Sequence, residues 1–265
     1  MFNTISKPSL RVKTLAKLIL NMNILRKLKS LFVPKQPNST IPFEGDIAKN
    51  FNCEEFEVDK WVLSDFVLQR LVPTVGIRPY PLDELMLLAA TVARFKPTYI
   101  VEWGTHIGKS ARIFYETCEY FGIDSEIHSF DLPDEQEHIE HPKNARGALV
   151  KHLLKVHLYQ EDGLKKGIEI YRKSSITNKS ILFYLDGDHA YESVYKELKT
   201  ILEHIPNAYI LLHDTFYQSV LSTYNIGPFL AIQEVLHNQK DDFNLISTGL
   251  GLPGMTLLYR KNKIS

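Results

Sequence analysis

The stretch Val101-Glu-Trp-Gly-Thr-His-Ile-Gly-Lys-Ser110 is the part of the chain that most constrains its architecture. It begins inside a short apolar run, Tyr99–Trp103, and passes two glycines before helical periodicity starts near Lys109. Glycine allows a tight turn and lets the backbone come close to a ligand. The stretch therefore predicts a strand, a glycine turn and a helix, with the turn as a candidate ligand-binding site.

The rest of the chain beyond residue 97 alternates short apolar runs with helical patterns. The apolar runs are Tyr99–Trp103, Ile127–Phe130, Val156–Tyr159, Ile181–Leu185 and Tyr209–Leu212. Helical patterns separate most of them, namely Lys109–Tyr120, Gly163–Arg172, Tyr191–His204 and Phe229–His237. This alternation predicts a parallel sheet covered by helices on both faces. The nearly continuous hydrophobicity of the runs fits strands that are buried on both faces.

The chain ends with a different pattern. Phe243–Ser247 and Met255–Tyr259 are strand-like runs joined by a glycine-rich segment that is too short for a helix. We therefore predict a Rossmann-like open α/β fold, with a mostly parallel sheet, a C-terminal antiparallel hairpin and N-terminal helices.

Three regions are predicted along the chain. Residues 1–43 form a basic amphipathic extension and linker, residues 44–96 a helical cap region, and residues 97–265 the ligand-binding domain. Helical periodicity over Asp59–Leu71 and Asp83–Phe95 supports the cap region.

The N-terminal extension differs from the rest of the chain in charge. Residues 1–43 contain eight Lys or Arg and no acid, whereas the remaining 23 basic and all 31 acidic residues come later. Residues 8–32 alternate apolar and basic residues and carry too much charge to span a bilayer. One interpretation is an amphipathic helix in peripheral contact with an anionic membrane or bound to a partner. The other is a solvated extension, or a helix packed on the main domain.

The bulk composition limits the partners and the compartment. Beyond residue 43 acids outnumber bases, which disfavours a nucleic-acid partner. Cys53 and Cys118 do not form a disulfide framework, and no signal peptide is recognisable. We expect a cytoplasmic protein, in peripheral contact with the inner membrane face if the extension binds lipid. The oligomeric state is not predicted.

Two nucleotide-binding motifs fit the glycine turn poorly. A P-loop requires four residues between its first glycine and Gly-Lys-Ser, and here there are three, Thr105 to Ile107. A dinucleotide fingerprint requires G-x-G-x-x-G, and this turn lacks the second glycine. Both remain weak alternatives.

Ligands of open α/β sheets bind beyond the carboxyl ends of the strands. The second predicted strand ends at Asp131, 27 residues after Gly104. A carboxylate at this place can accept both hydroxyls of a ribose. A helix cap or a surface aspartate is the alternative for Asp131.

The fourth strand leads into the most polar run of the domain, Asp186-Gly-Asp-His189, and the fifth ends at Asp214. Neighbouring strand ends would bring Asp186 and Asp214 together. Facing carboxylates repel each other unless they share a proton or a cation. Oxygen ligands with open positions suit Mg²⁺ or a similar ion.

The pattern Glu-x-Gly-Thr-x-x-Gly-x-Ser at the first strand resembles motif I of the class I S-adenosylmethionine methyltransferases. The resemblance implies that Glu102, Gly104, Thr105, Gly108 and Ser110 line the cofactor site. It also implies that Asp162 and Gly163, after the third strand, flank the adenine; Asp162 could equally cap the following helix.

The run Leu185-Asp-Gly-Asp-His-Ala-Tyr-Glu192 resembles a branch of divalent-cation-dependent O-methyltransferases that includes macrocin O-methyltransferase and cephalosporin hydroxylase-like proteins. The resemblance covers residues 98–260. It implies that Asp186 and Asp214 are metal ligands. The third ligand of these families is an Asp or Asn at the place of Thr215; this departure puts the metal in doubt, and a water or His213 could substitute.

Transfer of a methyl group to a hydroxyl requires a group that takes the hydroxyl's proton. His189 is the favoured base because its ordinary pKa is near neutral, and Asp188 is the rival. Tyr217, Tyr224 and the glycines at 249 and 251 lie where an acceptor pocket could form.

The resemblance thus implies an S-adenosylmethionine-dependent O-methyltransferase that acts on a sugar or glycan-linked hydroxyl, as in polysaccharide modification. Two alternatives stay open: a non-catalytic cofactor-binding or scaffolding relative tethered to a membrane complex, and a nicotinamide-dependent oxidoreductase.

Overall fold

A computed structural model of the chain describes residues 59–136, 142–217, 219, 221, 224 and 226–261. The amphipathic extension predicted for residues 1–43 lies outside the described residues. So does the part of the predicted cap region that precedes residue 59.

The described residues form seven strands and seven α-helices. The strands are β1 (Tyr99–Trp103), β2 (Glu126–Phe130), β3 (Val156–Tyr159), β4 (Ile181–Leu185), β5 (Tyr209–His213), β6 (Phe243–Ser247) and β7 (Met255–Arg260). The helices are α1 (Lys60–Phe66), α2 (Val72–Val75), α3 (Leu82–Phe95), α4 (Lys109–Phe121), α5 (Gly163–Lys173), α6 (Tyr191–His204) and α7 (Gly227–Leu236). A π-helical turn, Val67–Leu71, joins α1 to α2.

The seven strands form one sheet in the order β3-β2-β1-β4-β5-β7-β6. Strands β1 to β5 are parallel, and β7 runs antiparallel to both β5 and β6. The predicted Rossmann-like sheet and its C-terminal hairpin are therefore confirmed.

The sheet is covered on both faces by apolar side chains, as the continuous hydrophobicity of its strands predicted. One core layer includes residues of α3 and α4, among them Leu88 and Phe114. The opposite layer includes residues of α5, α6 and α7, among them Ile168, Leu198 and Ile232. Burial of this much apolar surface is the main source of stability for such a sheet.

The strand register aligns the carboxyl ends of the central strands. Trp103 at the end of β1 pairs with Phe130 of β2 and with Leu185 of β4. Leu185 in turn pairs with Leu212 of β5. The residues that directly follow these strands therefore lie at one edge of the sheet, where the sequence predicted the ligand site.

Among the described residues, no helix has both the length and the apolar character needed to cross a membrane.

Candidate active site

The glycine turn after β1 packs against the end of β4. Gly104 has a φ of +90°, and a Cβ atom there would lie 2.2 Å from the carbonyl oxygen of Asp186. Gly108 has a φ of +86° and precedes α4; its Cβ would lie 2.7 Å from a methyl of Val150. Both positions therefore require glycine, because a side chain would combine strain with a close contact.

Three of the predicted cofactor residues lie beneath this turn. Glu102 is fully buried and accepts a 2.5 Å hydrogen bond from Ser129 Oγ, which also bonds to Thr105 Oγ1 at 2.7 Å. Burial raises the pKa of Glu102 to about 8, although hydrogen bonds from Ser129 and Ser110 oppose the shift. The side chains of Glu102, Thr105 and Ser110 thus support the turn from below, which leaves its backbone to contact a ligand.

Asp131 follows β2 and holds the glycine turn from the side. Its Oδ1 accepts from the amide of Leu132 at 2.9 Å, and its Oδ2 accepts from the amide of His106 at 3.2 Å. Arg146 Nε donates to the same Oδ2 at 3.1 Å. The carboxylate predicted to bind a ribose therefore lies next to the turn and is paired with an arginine.

Asp162 and Gly163 both have structural roles at the start of α5. Asp162 Oδ1 accepts from the amides of Leu164 and Lys165, which makes it the N-cap of the helix. A Cβ on Gly163 would lie 3.0 to 3.1 Å from Phe130 and Trp103. The sequence analysis had named the cap as an alternative for Asp162. The adenine contact of both residues stays a prediction.

Asp186, His189 and Asp214 converge beside the glycine turn, and we refer to them as the Asp-His cluster. His189 Nδ1 lies 3.3 Å from Asp214 Oδ2, and His189 Nε2 lies 3.7 Å from Asp186 Oδ1. One potential ligand atom from each residue lies within 4.8 Å of the others. The structure therefore brings together the two carboxylates that the sequence predicted would meet.

Asp186 is held by groups from three elements. Its Oδ2 accepts from the hydroxyls of Tyr80 at 2.7 Å and Tyr184 at 3.0 Å, and its Oδ1 accepts from His213 Nδ1 at 3.0 Å. Burial alone would raise the pKa of Asp186, but His213, His189 and Tyr80 outweigh it and hold that pKa below its usual range. Asp186 is therefore an anion with a fixed orientation.

His213 bridges the cluster to the N-terminal helices. Its Nε2 donates to Glu84 Oε2 at 3.0 Å, and Glu84 Oε1 accepts from the amide of Gly254 at 2.8 Å. Burial would lower the pKa of His213, but Asp186, Asp214 and Glu84 raise it well above its ordinary value. Because both ring nitrogens face carboxylates, His213 is not available as a metal ligand.

Asp214 and His189 have their own partners. The hydroxyl of Tyr224 donates to Asp214 Oδ1. Burial would raise the pKa of Asp214, but the hydrogen bond and charge of His213 lower it. Burial would lower the pKa of His189, but its hydrogen bond to Asp186 and the nearby Asp214 raise it.

Thr215 and Asp188 are placed differently from the predictions made for them. Thr215 Oγ1 bonds to Thr256 Oγ1 at 2.8 Å, and its amide donates to the carbonyl of Gly254. Asp188 is exposed and accepts from the amide of Ala190 at 3.0 Å, at the start of α6. The hydroxyl of Thr215 is thus engaged between β5 and β7, and its role as a metal ligand stays a prediction.

Tyr80 and Glu84 are site residues that the sequence analysis missed. They precede and begin α3, more than 100 positions before the residues that they contact. The sequence pattern over Asp83–Phe95 predicts a helix but does not predict its contact with the site. No local signal indicated that Glu84 is buried against the end of β5.

The Asp-His cluster fits a divalent cation by its donors. Asp186 and Asp214 offer carboxylate oxygens from two neighbouring strand ends, and a ring nitrogen of His189 lies in the same group of atoms. Two carboxylate ligands would leave coordination positions open for an acceptor hydroxyl, as Mg²⁺ or Mn²⁺ sites require.

The chain was compared with known proteins. No curated protein matches the chain. The structure resembles a methyltransferase from Podospora anserina bound to S-adenosylhomocysteine, with a TM-score of 0.48, 16% identity, 80% of this chain covered and 92% of the other. It also resembles a TDP-rhamnose 3'-O-methyltransferase of calicheamicin biosynthesis, with a TM-score of 0.49, 14% identity, 76% of this chain covered and 87% of the other. A methyltransferase from Geobacter sulfurreducens is similar with a TM-score of 0.44 and 18% identity, and the match covers 77% of this chain and 90% of the other.

A family model described as a methyltransferase domain matches residues 101–215. This segment begins in β1, just before the glycine turn, and ends at Thr215, so it includes Asp131 and the whole Asp-His cluster. Residues 101–215 therefore match a methyltransferase domain, and the sheet and the glycine turn are those that the sequence predicted for a fold that binds S-adenosylmethionine.

Proposed function

We propose that the enzyme methylates a hydroxyl group of a sugar or glycan, with a divalent cation held by Asp186 and Asp214. The observation that carries the proposal is the contact between the two halves of the site. The backbone of Gly104 touches the carbonyl of Asp186, so the cofactor turn and the Asp-His cluster border one cleft. A hydroxyl bound at the cluster would then lie next to the methyl donor.

The glycine turn and Asp131 would hold the methyl donor. The turn would pass beneath the donor at Gly104, where no side chain intervenes between the backbone and a ligand. Asp131 already accepts from the amide of His106, and its carboxylate would accept the ribose hydroxyls as well.

The reaction is an in-line displacement. The acceptor oxygen forms a bond to the methyl carbon while the carbon–sulfur bond breaks, which yields a methyl ether, S-adenosylhomocysteine and a proton. A bound cation would orient the acceptor hydroxyl and lower its pKa.

His189 is the residue that would take the proton. Asp214 Oδ2 lies 3.3 Å from His189 Nδ1 and would fix the ring. Nε2, which faces Asp186, would accept the proton once a cation engages the Asp186 carboxylate in its place. Asp188 is a weaker candidate, because it is turned to the amide of Ala190.

The choice of a sugar acceptor rests on the resemblance of the run Leu185–Glu192 to sugar-modifying and antibiotic-modifying O-methyltransferases. The polar cluster supports it, because a carboxylate-bound cation suits a hydroxyl acceptor better than a carbon or amine acceptor.

Calorimetric titration with S-adenosylmethionine tests the donor half of the proposal. We expect binding to the wild-type chain and loss of most of that binding in Asp131→Ala. Release of S-adenosylhomocysteine with a panel of sugar acceptors, with Mg²⁺ and with a chelator, tests the other half. Absence of cofactor binding would refute the proposal, and equal turnover in chelator would refute the role of the cation.

A further inference from the structure

The turn of the C-terminal hairpin is an apolar projection beside the active site. Leu250 is 92% exposed and Leu252 is 42% exposed. A Cβ on Gly249 or Gly251 would meet no atom within 4 Å, so this turn stands clear of the described parts of the protein. Its base is fixed to the site, because the amide of Gly254 donates to Glu84.

The loop after β5 adds exposed apolar side chains next to this turn. Tyr217 is 39% exposed and Leu221 is 91% exposed. The amide of Phe216 donates to the carbonyl of Pro253 at 3.1 Å, which joins the loop to the hairpin turn. Tyr217, Leu221, Leu250 and Leu252 are called the apolar rim below.

The apolar rim lies in two stretches of sequence that contain no charge. Residues 215–233 and residues 243–259 include no Asp, Glu, Lys or Arg. The other highly exposed leucine, Leu154 at 95%, lies instead between Lys151 and Lys155 and at the opposite end of the sheet, just before β3. Isolated exposed leucines are common, but several around the mouth of a site indicate a docking surface.

A lipid bilayer fits this rim better than a protein partner. Leucines on a projecting turn can enter the acyl region of a bilayer one by one. A stable protein interface needs about 800 Å² from each partner, and the rim offers only a few side chains. The same chain carries eight basic residues and no acid in residues 1–43, a charge that complements anionic lipid.

We propose that the apolar rim docks on an anionic lipid bilayer and that the acceptor is an amphiphilic, lipid-linked sugar presented there. The acceptor class rests on the proposed function, whereas bilayer docking does not. Docking of the rim would bring the Asp-His cluster to the level of the lipid head groups, where the sugar of such an acceptor lies.

Sedimentation of the full chain with vesicles tests the proposal. The vesicles contain phosphatidylglycerol and phosphatidylethanolamine, or phosphatidylcholine alone. We expect the wild-type chain to bind the anionic vesicles, and Leu250→Asp to bind them about tenfold more weakly, because the variant loses the burial of one leucine. Leu154→Asp is the matched control and should bind like the wild type.

Three results would overturn the proposal. They are no binding of the wild-type chain to anionic vesicles, equal binding by Leu250→Asp, and a self-association that Leu250→Asp abolishes without vesicle binding. Calorimetry with S-adenosylmethionine on the same samples separates the two proposals. If the wild type binds the cofactor but Leu250→Asp binds vesicles as well as the wild type does, only the docking of the rim is refuted. If the wild type does not bind the cofactor, the proposed function is refuted.

Discussion

The two halves of the active site are built in different ways. The cofactor half, from Glu102 to Asp131, assembles from residues within one β-α-β unit. The Asp-His cluster half takes Tyr80 and Glu84 from before the sheet and Gly254 from near the end of the chain. The first half is therefore encoded locally, while the second depends on the packing of α3 and the hairpin on the sheet.

The largest effect is expected from Asp186→Asn. The variant removes a carboxylate that would hold the cation and that contacts His189, the proposed base. Loss of charge stabilisation at a reacting centre costs about 10³-fold in rate. Cofactor affinity should change little, because the glycine turn contacts only the backbone of Asp186. Rates of S-adenosylhomocysteine release and calorimetry measure the two quantities. A variant with normal turnover would contradict the role of the cluster.

Gly104→Ala should break the contact between the halves. The new Cβ would be placed 2.2 Å from the carbonyl of Asp186 at a φ of +90°. We expect a loss of about 3 kcal/mol in the free energy of unfolding, together with loss of cofactor binding. Gly249→Ala is the control, since its Cβ meets nothing within 4 Å. Equal denaturation midpoints for the two variants would contradict the close contact between Gly104 and the carbonyl of Asp186.

Glu84→Ala tests the Asp-His cluster half, which depends on residues from distant parts of the chain. It would leave His213 Nε2 and the amide of Gly254 buried without a partner, which costs about 3 kcal/mol. Asp83→Ala, in the same helical turn, is the control, because no contact of its carboxylate to the cluster is found in the described structure. Chemical denaturation and the affinity for Mn²⁺ should both change in Glu84→Ala alone. Glu84→Gln should restore part of the stability.

A smaller effect concerns Glu102 and pH. Its pKa of about 8 in the folded state lies above the ordinary value of 4.5, so the folded protein keeps a proton that the unfolded chain loses between these values. The stabilising contribution is complete below pH 4.5 and is lost as the pH rises to 8. We expect the wild type to lose about 2 kcal/mol relative to Glu102→Gln between pH 5 and pH 6.5. Parallel pH dependence in the two proteins would contradict a buried, protonated Glu102.

The smallest effect is expected from Thr215→Val. The variant loses the hydrogen bond to Thr256, worth about 1 kcal/mol, and should keep its affinity for Mn²⁺. A clear drop in that affinity, measured by electron paramagnetic resonance, would return Thr215 to the ligand set.

The sequence predicted what local patterns control. Hydrophobic runs gave the strands, and the glycines at 104 and 108 marked a turn that no other residue tolerates. The meeting of Asp186 and Asp214 followed from the rule that parallel strands end at one edge. The positions of Tyr80, Glu84 and Thr215 did not follow, because they depend on how α3 and β7 pack and on which way one hydroxyl turns.

Paramagnetic relaxation by Mn²⁺ can test whether the two halves share one cleft. The observed signal is the labelled methyl group of S-adenosylmethionine bound to the enzyme. If the cation binds at Asp186 and Asp214 beside the glycine turn, Mn²⁺ should broaden the methyl signal strongly, and Asp214→Asn should restore it. An unbroadened methyl signal while both Mn²⁺ and the cofactor are bound would contradict the shared cleft.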